Sequence, residues 1–263
     1  MCISKKFCIF AENLQIMENK FIIAFTGKAN AGKDTCGSIV NYISKVGVSK
    51  ANYEEWRKLH NSGKLNNSFH FATNVKKCLS IIFGVAVELF DDREYKDKKY
   101  YCIEEHRFIN KNQLDNRKYE EITIEHLKEH TLKDSIHNLK CFDRTAVVTL
   151  RTLMQYFATE IGRNQLIDNI WIYSTIADIN LYLNNYNKVA TVTDLRFYGE
   201  AEAICKQSFN TYLVKVNRPN EEESFNHVSE QGDFDVNYTI DNTSSLMALF
   251  YKVVKMYQEL IIK

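Results

Sequence analysis

Proline is nearly missing from this chain: one residue, Pro219, among 263, with only nine glycines beside it. That scarcity excludes a collagen-like repeat and a Pro/Gly linker, both of which need far more of the two residues. An excess of charge of one sign is missing too, since 34 basic residues face 33 acidic ones. There is therefore no general electrostatic case for nucleic acid or an anionic membrane, and any anion site must rest on particular residues. Long apolar runs are also lacking. The N-terminal stretches are interrupted by Glu12, Glu18 and Lys20, so neither a signal peptide nor a transmembrane helix is expected. The cysteines at 2, 8, 36, 78, 102, 141 and 205 form no CxxC pair and are odd in number. They read as reduced thiols of a cytoplasmic protein. What is present is 45% hydrophobic and 25% charged residues, enough for a real core and too apolar for a disordered tail. With glycine so rare, asparagine is expected to make many of the turns. Two glycines close together then mark a place where the backbone needs them.

The pattern along the chain alternates. Lys20–Thr26 (KFIIAFT) is a continuous apolar run and predicts a strand buried on both faces. Cys36, Ile39, Val40 and Ile43 follow at helical spacing. Ser68–Thr73 predicts a second short strand, and Val75, Leu79, Ile82 and Phe83 a helix. Residues 91–140 are charged and poorly patterned, which predicts an insertion of surface helices and loops. Further helices are expected over Arg151–Arg163 and Ile170–Leu183, around Ala201–Lys206, and from Leu246 to Leu260. Strands are expected over Lys188–Thr193, Thr211–Val216 and Tyr238–Ile240. Alternating strands and helices imply an α/β fold with a mostly parallel sheet, whose ligands collect at the strand C-termini.

Between the first strand and its helix lies GKANAGKD, Gly27–Asp34, then Thr35. This fits G-x-x-x-x-G-K, the phosphate loop (P-loop), with Asp34 where Ser or Thr is usual. Glycines at both ends let successive backbone N–H groups surround phosphate oxygens, and the helix N-terminus adds partial positive charge. Asn30, Ala31 and Gly32 belong to that cradle. Lys33 can reach the β- and γ-phosphates. Asp34 could bind Mg²⁺, directly or through water, and Thr35 could contact phosphate. An ordinary strand-to-helix turn is the bland alternative, and the flanking strand and helix argue against it.

The sequence here resembles the deoxynucleoside monophosphate kinases of bacteriophages, within the P-loop nucleoside monophosphate kinase superfamily. The loop with aspartate after lysine is typical of them. FATNVKKCLSIIFG (Phe71–Gly84), LFDDREYK (Leu89–Lys96), LRTLMQYFATEIGR (Leu150–Arg163) with Trp171 beyond, TDLRFYGEAEAI (Thr193–Ile204), HVSE (His227–Glu230) and IDN (Ile240–Asn242) follow in the family's order. The resemblance spans about residues 20–260. Departures are Ala158, where the family favours glycine, and the longer charged stretch after Lys96. It implies a three-layer sandwich with a mostly parallel five-stranded sheet and a helical substrate-binding insertion.

Other constellations are weighed beside it. Asp194, at a strand C-terminus, would orient Mg²⁺ or substrate, with Arg196 binding phosphate and Glu200 holding a basic partner; a surface ion-pair cluster is the alternative. Arg151 and Gln155 are four apart on one helix face, suited to phosphate and to a base edge. Glu160 and Arg163 follow on that helix, and a solvated face is the competing reading. Arg93 would bind the monophosphate unless DDREYKDKK simply faces solvent. Phe71 and Trp171 would stack on a base or fill a core. Arg218, before Pro219, would clamp the adenine or phosphates from a lid, and Asn242 would line the adenine site or cap the last helix. His126 and His130 are four apart but lack the HExxH arrangement, and no zinc site is proposed.

The expected reaction is transfer of the γ-phosphoryl group of ATP to a deoxynucleoside 5′-monophosphate, with Mg²⁺ as cofactor. Lys33, Asp34, Asp194 and Arg196 are the expected catalytic set. Another kinase of the same fold, acting on a phosphorylated isoprenoid precursor or dephospho-coenzyme A, and a nucleotide-binding switch without transferase activity stay open. Residues 1–16 are expected to be a dispensable extension and 17–263 the kinase domain, with 85–165 a mobile acceptor-binding region and 218–235 a lid. The expected partners are ATP and a deoxynucleoside monophosphate, without nucleic acid or membrane. A homodimer stays open, and the expected location is the cytoplasm, the host's if the protein is viral.

Overall fold

The computed structural model describes residues 20–65, 67–116, 118–129, 145–185, 188–219 and 234–262. The expected extension at 1–16, and all of the expected lid except 218–219 and 234–235, lie outside these residues, as do His130, His227 and Glu230. In chain order the elements are strand β1 (Phe21–Thr26), helices α1 (Lys33–Val46), α2 (Tyr53–Asn61), α3 (Thr73–Phe83) and α4 (Arg93–Asp97), and strands β2 (Lys99–Cys102), β3 (Arg107–Asn110) and β4 (Tyr119–Glu121). Helix α5 (Ile124–Glu129), strand β5 (Thr145–Val148), helix α6 (Leu150–Tyr156) with a π-helix over Phe157–Leu166, and helix α7 (Ile170–Asn184) come next. The chain ends with β6 (Val189–Leu195), α8 (Tyr198–Cys205), β7 (Asn210–Asn217), β8 (Tyr238–Asp241) and α9 (Leu246–Ile261). Two compact units result: the described residues up to His70 with those from Thr175 onward, and Phe71–Ser174.

The first unit is a wholly parallel sheet in the order β6-β1-β7-β8. Its central strand β1 is buried from Ile22 to Thr26, as its unbroken apolar run requires of a sheet covered on both faces. Helices α1 and α9 share one core with it: Ile39, Val40 and Ile43 of α1 meet Leu249, Phe250 and Val253 of α9. The Phe250 ring lies 5.7 Å from Tyr53 and 5.5 Å from Trp56 of α2. The five expected strands become four and a single bridge. Only Phe69 of the expected Ser68–Thr73 strand pairs, with Val192 in parallel. Its N–H donates to Thr191 at 2.7 Å and its carbonyl accepts from Thr193 at 3.2 Å. The ladder stops there because the chain turns at once into α3. Side chains do the fastening instead: Asn41 donates to the Leu65 carbonyl and accepts from the Thr191 hydroxyl, which lies 2.9 Å from that of Ser68.

The second unit departs from the expectation of helices and loops. It carries a four-stranded mixed sheet, β3-β2-β5-β4. Its strands have three or four residues each, too short for alternation to show amid the surrounding charge. One face packs Tyr100, Cys102, Ile109, Tyr119 and Val147 together. The other joins Tyr101, Ala146 and Val148 to Val75 and Leu79 of α3 and Leu150 and Leu153 of α6. Glu105, in the β2–β3 turn, accepts from Arg107 and from Lys118, each at 2.6 Å, and from the Tyr119 hydroxyl. Those donors tie the two edge strands together.

Candidate active site

Strand β1 ends at Thr26, which pairs with Leu195 of β6 on one side and Lys215 of β7 on the other. The strand order reverses here, since β6 and β7 follow β1 on opposite sides, and such switch points open a crevice at the strand C-termini. The glycine loop fills that position. Gly27 has φ +139°, and a Cβ there would sit 2.3 Å from the Val216 carbonyl oxygen. Asn30 (φ 61°) and Gly32 (φ 100°) are left-handed as well, so the chain winds tightly before α1 starts at Lys33. The Lys33 ammonium bridges the loop, donating to the carbonyls of Gly27 at 2.7 Å and Lys28 at 2.8 Å. The Asn242 amide clamps it from β8's end, donating to the Ala31 carbonyl at 2.8 Å. Arg218 lies 3.5 Å from the Asn30 carbonyl. A cavity of about 950 Å³ adjoins, walled by Gly27, Lys28, Arg218, Pro219, Phe234 and Asp241 among others.

Asp34, exposed in the first turn of α1, accepts from the Thr193 hydroxyl. His70 Nδ1 lies 3.3 Å from the same hydroxyl. The expected strand is longer than its apolar run: β6 continues through Asp194, which is half-buried on the strand rather than after it. Arg196 is exposed just past the strand end. The helix α8 starts at Tyr198, earlier than expected, and Glu200 explains why. Its buried carboxylate accepts from the backbone N–H groups of Arg196 at 2.8 Å and Phe197 at 3.0 Å. Glu200 thereby fixes the turn that carries Arg196. Cys36 sits one helical turn below the loop, where burial and then the Asp34 charge push its thiol up to about 12. It packs as an unreactive thiol.

In the second unit, Arg151 donates to Asp97 at 2.7 Å and Lys76 to Asp91 at 2.5 Å. Lys96 lies among them. Burial, then the charges of Arg151 and Lys76, lower its pKa against the opposing pull of Asp91 and Asp97. Arg93 adds to the positive field on Asp97. Gln155 is exposed on α6, one turn beyond Arg151. Glu160 accepts from Asn164 at 2.8 Å, and Arg163 is exposed; both lie in the π-helix, past the α-helical stretch. Phe71 and Trp171 are each 6% exposed. The Trp171 indole donates to the Ala158 carbonyl at 2.8 Å and its ring lies 5.8 Å from that of Phe157. His126 closes a reciprocal cap with Thr123.

The structure thus groups Gly27, Asn30–Thr35, Asp194, Arg196, Arg218 and Asn242 with the first unit, and Phe71, Arg93, Arg151, Gln155, Glu160, Arg163 and Trp171 with the second. Sequence reasoning passed over Thr193, His70, Lys76 and Lys96. The two lysines stand inside motif segments quoted above, and their charge in company with Arg93 and Arg151 is the signal that was available. Thr193 and His70 carry no such signal, because their partners are distant in sequence.

Among the described residues no helix is long and apolar enough to cross a membrane. No curated protein matches the chain significantly. A family model does: that of deoxynucleotide monophosphate kinase, over residues 21–253.

Proposed function

The chain belongs to the deoxynucleotide monophosphate kinase family, and from that premise we propose how its residues divide the work. The protein is an ATP-dependent phosphotransferase that converts a deoxynucleoside 5′-monophosphate to the diphosphate. One observation carries the assignment of the donor side: a glycine loop, closed by Lys33 on its own carbonyls, at the switch point of a parallel sheet.

On this reading Gly27, Asn30, Ala31, Gly32 and Thr35 hold the ATP phosphates through backbone and hydroxyl groups. Lys33 leaves the Gly27 and Lys28 carbonyls for the β- and γ-phosphates. The adjoining cavity takes the nucleoside of ATP, with Arg218 on its phosphates and Asn242 keeping the loop in shape. Among the described residues no group of three His, Cys, Asp or Glu side chains could cage a metal. Mg²⁺ in a kinase takes one or two carboxylates and the substrate's own phosphates. Asp34, held by Thr193, and Asp194 fit that requirement. When bound, Mg²⁺ neutralises charge on the phosphates. Arg196, on the turn that Glu200 fixes, stabilises the transferring group. The acceptor is already an anion, so no strong general base is required; catalysis is positioning and charge stabilisation. Arg93 and Arg151 take the acceptor's phosphate, and Gln155, Glu160 and Arg163 with the aromatic Phe71 and Trp171 shape its base site.

The decisive test is ADP release from Mg·ATP with dAMP, dGMP, dCMP, dTMP and their ribose counterparts. Acceptor-dependent release is expected. Lys33→Ala should abolish it, and Arg151→Ala or Arg196→Ala should impair acceptor use. Normal turnover in all three variants would overturn the site assignment.

A further inference from the structure

Two polar chains fasten helix α1 to strand β6, and they are built to one plan. Each runs from the segment around the Phe69 bridge, through a β6 threonine, to α1. The first joins Ser68, Thr191 and Asn41; the second joins His70, Thr193 and Asp34. Positions 68 and 70, like 191 and 193, are two apart in extended chain and share a face. Positions 34 and 41 are about two turns apart on the helix. Gly37, between them, makes room: a Cβ there would come 2.5 Å from Thr193 Cγ2 and 2.7 Å from Ser68 Oγ. The first chain is all neutral and closes on itself, since Thr191 donates to the Asn41 side-chain carbonyl while the Asn41 amide reaches Ser68. The second, at the crevice end of β6, puts a carboxylate at one end and an imidazole at the other.

Hydrogen-bond counting fixes the direction of that second chain. A threonine hydroxyl has one proton, and a carboxylate only accepts. Thr193, which is buried, gives its proton to Asp34. In the 3.3 Å contact between Thr193 and His70 Nδ1, the donor is then His70. We infer that His70 is a positioning residue for Asp34: its Nδ1–H donates to the Thr193 hydroxyl and so commits that hydroxyl's proton to the carboxylate. The inference rests on the reading of Asp34 as a residue that serves Mg²⁺, and adds to it the group that orients its support. Imidazole protonated at Nδ1 and imidazolium both keep the chain intact. The tautomer protonated only at Nε2 breaks it, because its Nδ1 lone pair competes with Asp34 for the one proton. Bonds in series also polarise one another, so the half-buried His70 strengthens the bond beyond its own.

If the contact merely packed the bridge segment on β6, any side chain of similar bulk would serve. Orientation requires a donor at one atom. The full chain is compared with His70→Asn, His70→Leu, Thr193→Val, Asp34→Asn and the double variant His70→Leu/Thr193→Val. Asparagine carries its amide nitrogen on Cγ, as histidine carries Nδ1, and so keeps the donor; leucine fills space without one. His70→Leu should raise the Mg²⁺ concentration for half-maximal ADP release about three- to tenfold, at or below the effect of a group one bond nearer to a metal ligand. His70→Asn should stay near wild type. Beside Thr193→Val, His70→Leu should add nothing, because members of one hydrogen-bond network are not additive. Paramagnetic detection of Mn²⁺ binding with ATP present should give the same order without turnover. A long-range ¹H–¹⁵N spectrum of the metal-free wild type, taken above the imidazole's titration, should show His70 protonated at Nδ1. Loss of the signal in His70→Asn assigns it, and Thr193→Val should relax the preference. The inference is overturned by equal Mg²⁺ dependence of His70→Asn and His70→Leu, by a His70→Leu effect that persists in full beside Thr193→Val, or by a neutral wild-type His70 protonated at Nε2; the kinase reading survives all three. If Thr193→Val and Asp34→Asn both leave Mg²⁺ and Mn²⁺ dependence unchanged, the metal reading of Asp34 fails, and the inference with it.

Discussion

The Thr193 hydroxyl donates to the carboxylate of Asp34, joining the end of β6 to the first turn of α1 across 159 residues of sequence. Asp34 stands where phosphate loops commonly carry a hydroxyl, so here the hydroxyl arrives from the neighbouring strand. On the proposed reading, in which Asp34 serves Mg²⁺, that hydroxyl orients its carboxylate. Thr193→Val should raise the Mg²⁺ concentration for half-maximal activity about tenfold, as the loss of a group supporting a metal ligand does, and Thr193→Ser should stay near wild type. Mg²⁺ titration of ADP release checks this, with paramagnetic detection of Mn²⁺ binding as a second readout. Equal behaviour of the two variants would refute it.

Glu200 gives a prediction of a different kind. Its buried carboxylate accepts two backbone N–H groups, of Arg196 and Phe197. Glu200→Ala strands both donors and should cost about 1–3 kcal/mol of stability. Glu200→Gln keeps one acceptor oxygen and should cost less. In both, kcat should fall more than the ATP KM rises, because the turn bearing Arg196 loosens. Denaturant melts and steady-state kinetics together test the pair.

Gly162 lies under the Trp171 indole, where an added Cβ would come 2.5 Å from Nε1. Gly162→Ala should therefore displace the ring and its hydrogen bond to Ala158, at about 1–3 kcal/mol for overpacking. Tryptophan fluorescence should shift, and acceptor KM should rise with ATP KM unchanged. An unaltered spectrum would show that the ring is not displaced and would refute the prediction.

Acid should act on Glu105. Its donors Lys118 and Arg107 hold its carboxyl down to about 2, from an ordinary value of 4.5. A folded-state pKa below the unfolded one means the stabilisation is fully present above about 4.5 and is lost as pH falls toward about 2. Wild type and Glu105→Gln should thus differ in Tm at pH 7 and converge across that window. A difference that persists at pH 2 would remove the ion cluster as its source.

Much of the first unit was legible in sequence for a local reason. The run from Ile22 to Phe25, two glycines and the helical spacing of Cys36, Ile39 and Ile43 all lie within about two dozen residues, so pattern alone joins them. In the second unit the helices over Thr73–Phe83 and Leu150–Tyr156 were legible by their spacing, but the sheet and the ion pairs were not, because the strands are too short for a period and the charged partners are distant: Lys76 meets Asp91 15 residues on, and Arg151 meets Asp97 54 residues back. The Phe69 bridge was overread as a strand because aromatic and β-branched residues surround it, while only one residue finds a partner in the ladder. Glu200 could be found in the sequence, but its duty to the backbone of Arg196 could not, since a carboxylate near a helix start serves as a cap or as a ligand with equal ease.

The π-helix that continues α6 from Phe157 to Leu166 makes chain length decide where its side chains point. In such a segment hydrogen bonds reach five residues back, so each turn holds more residues than an α-helix does. Deleting a single residue there would wind the remainder by about 100°, one α-helical step, and re-aim Glu160 or Arg163 without altering either. If those side chains line the acceptor site, as proposed above, a one-residue insertion or deletion would change the surface they present while leaving every side chain unchanged.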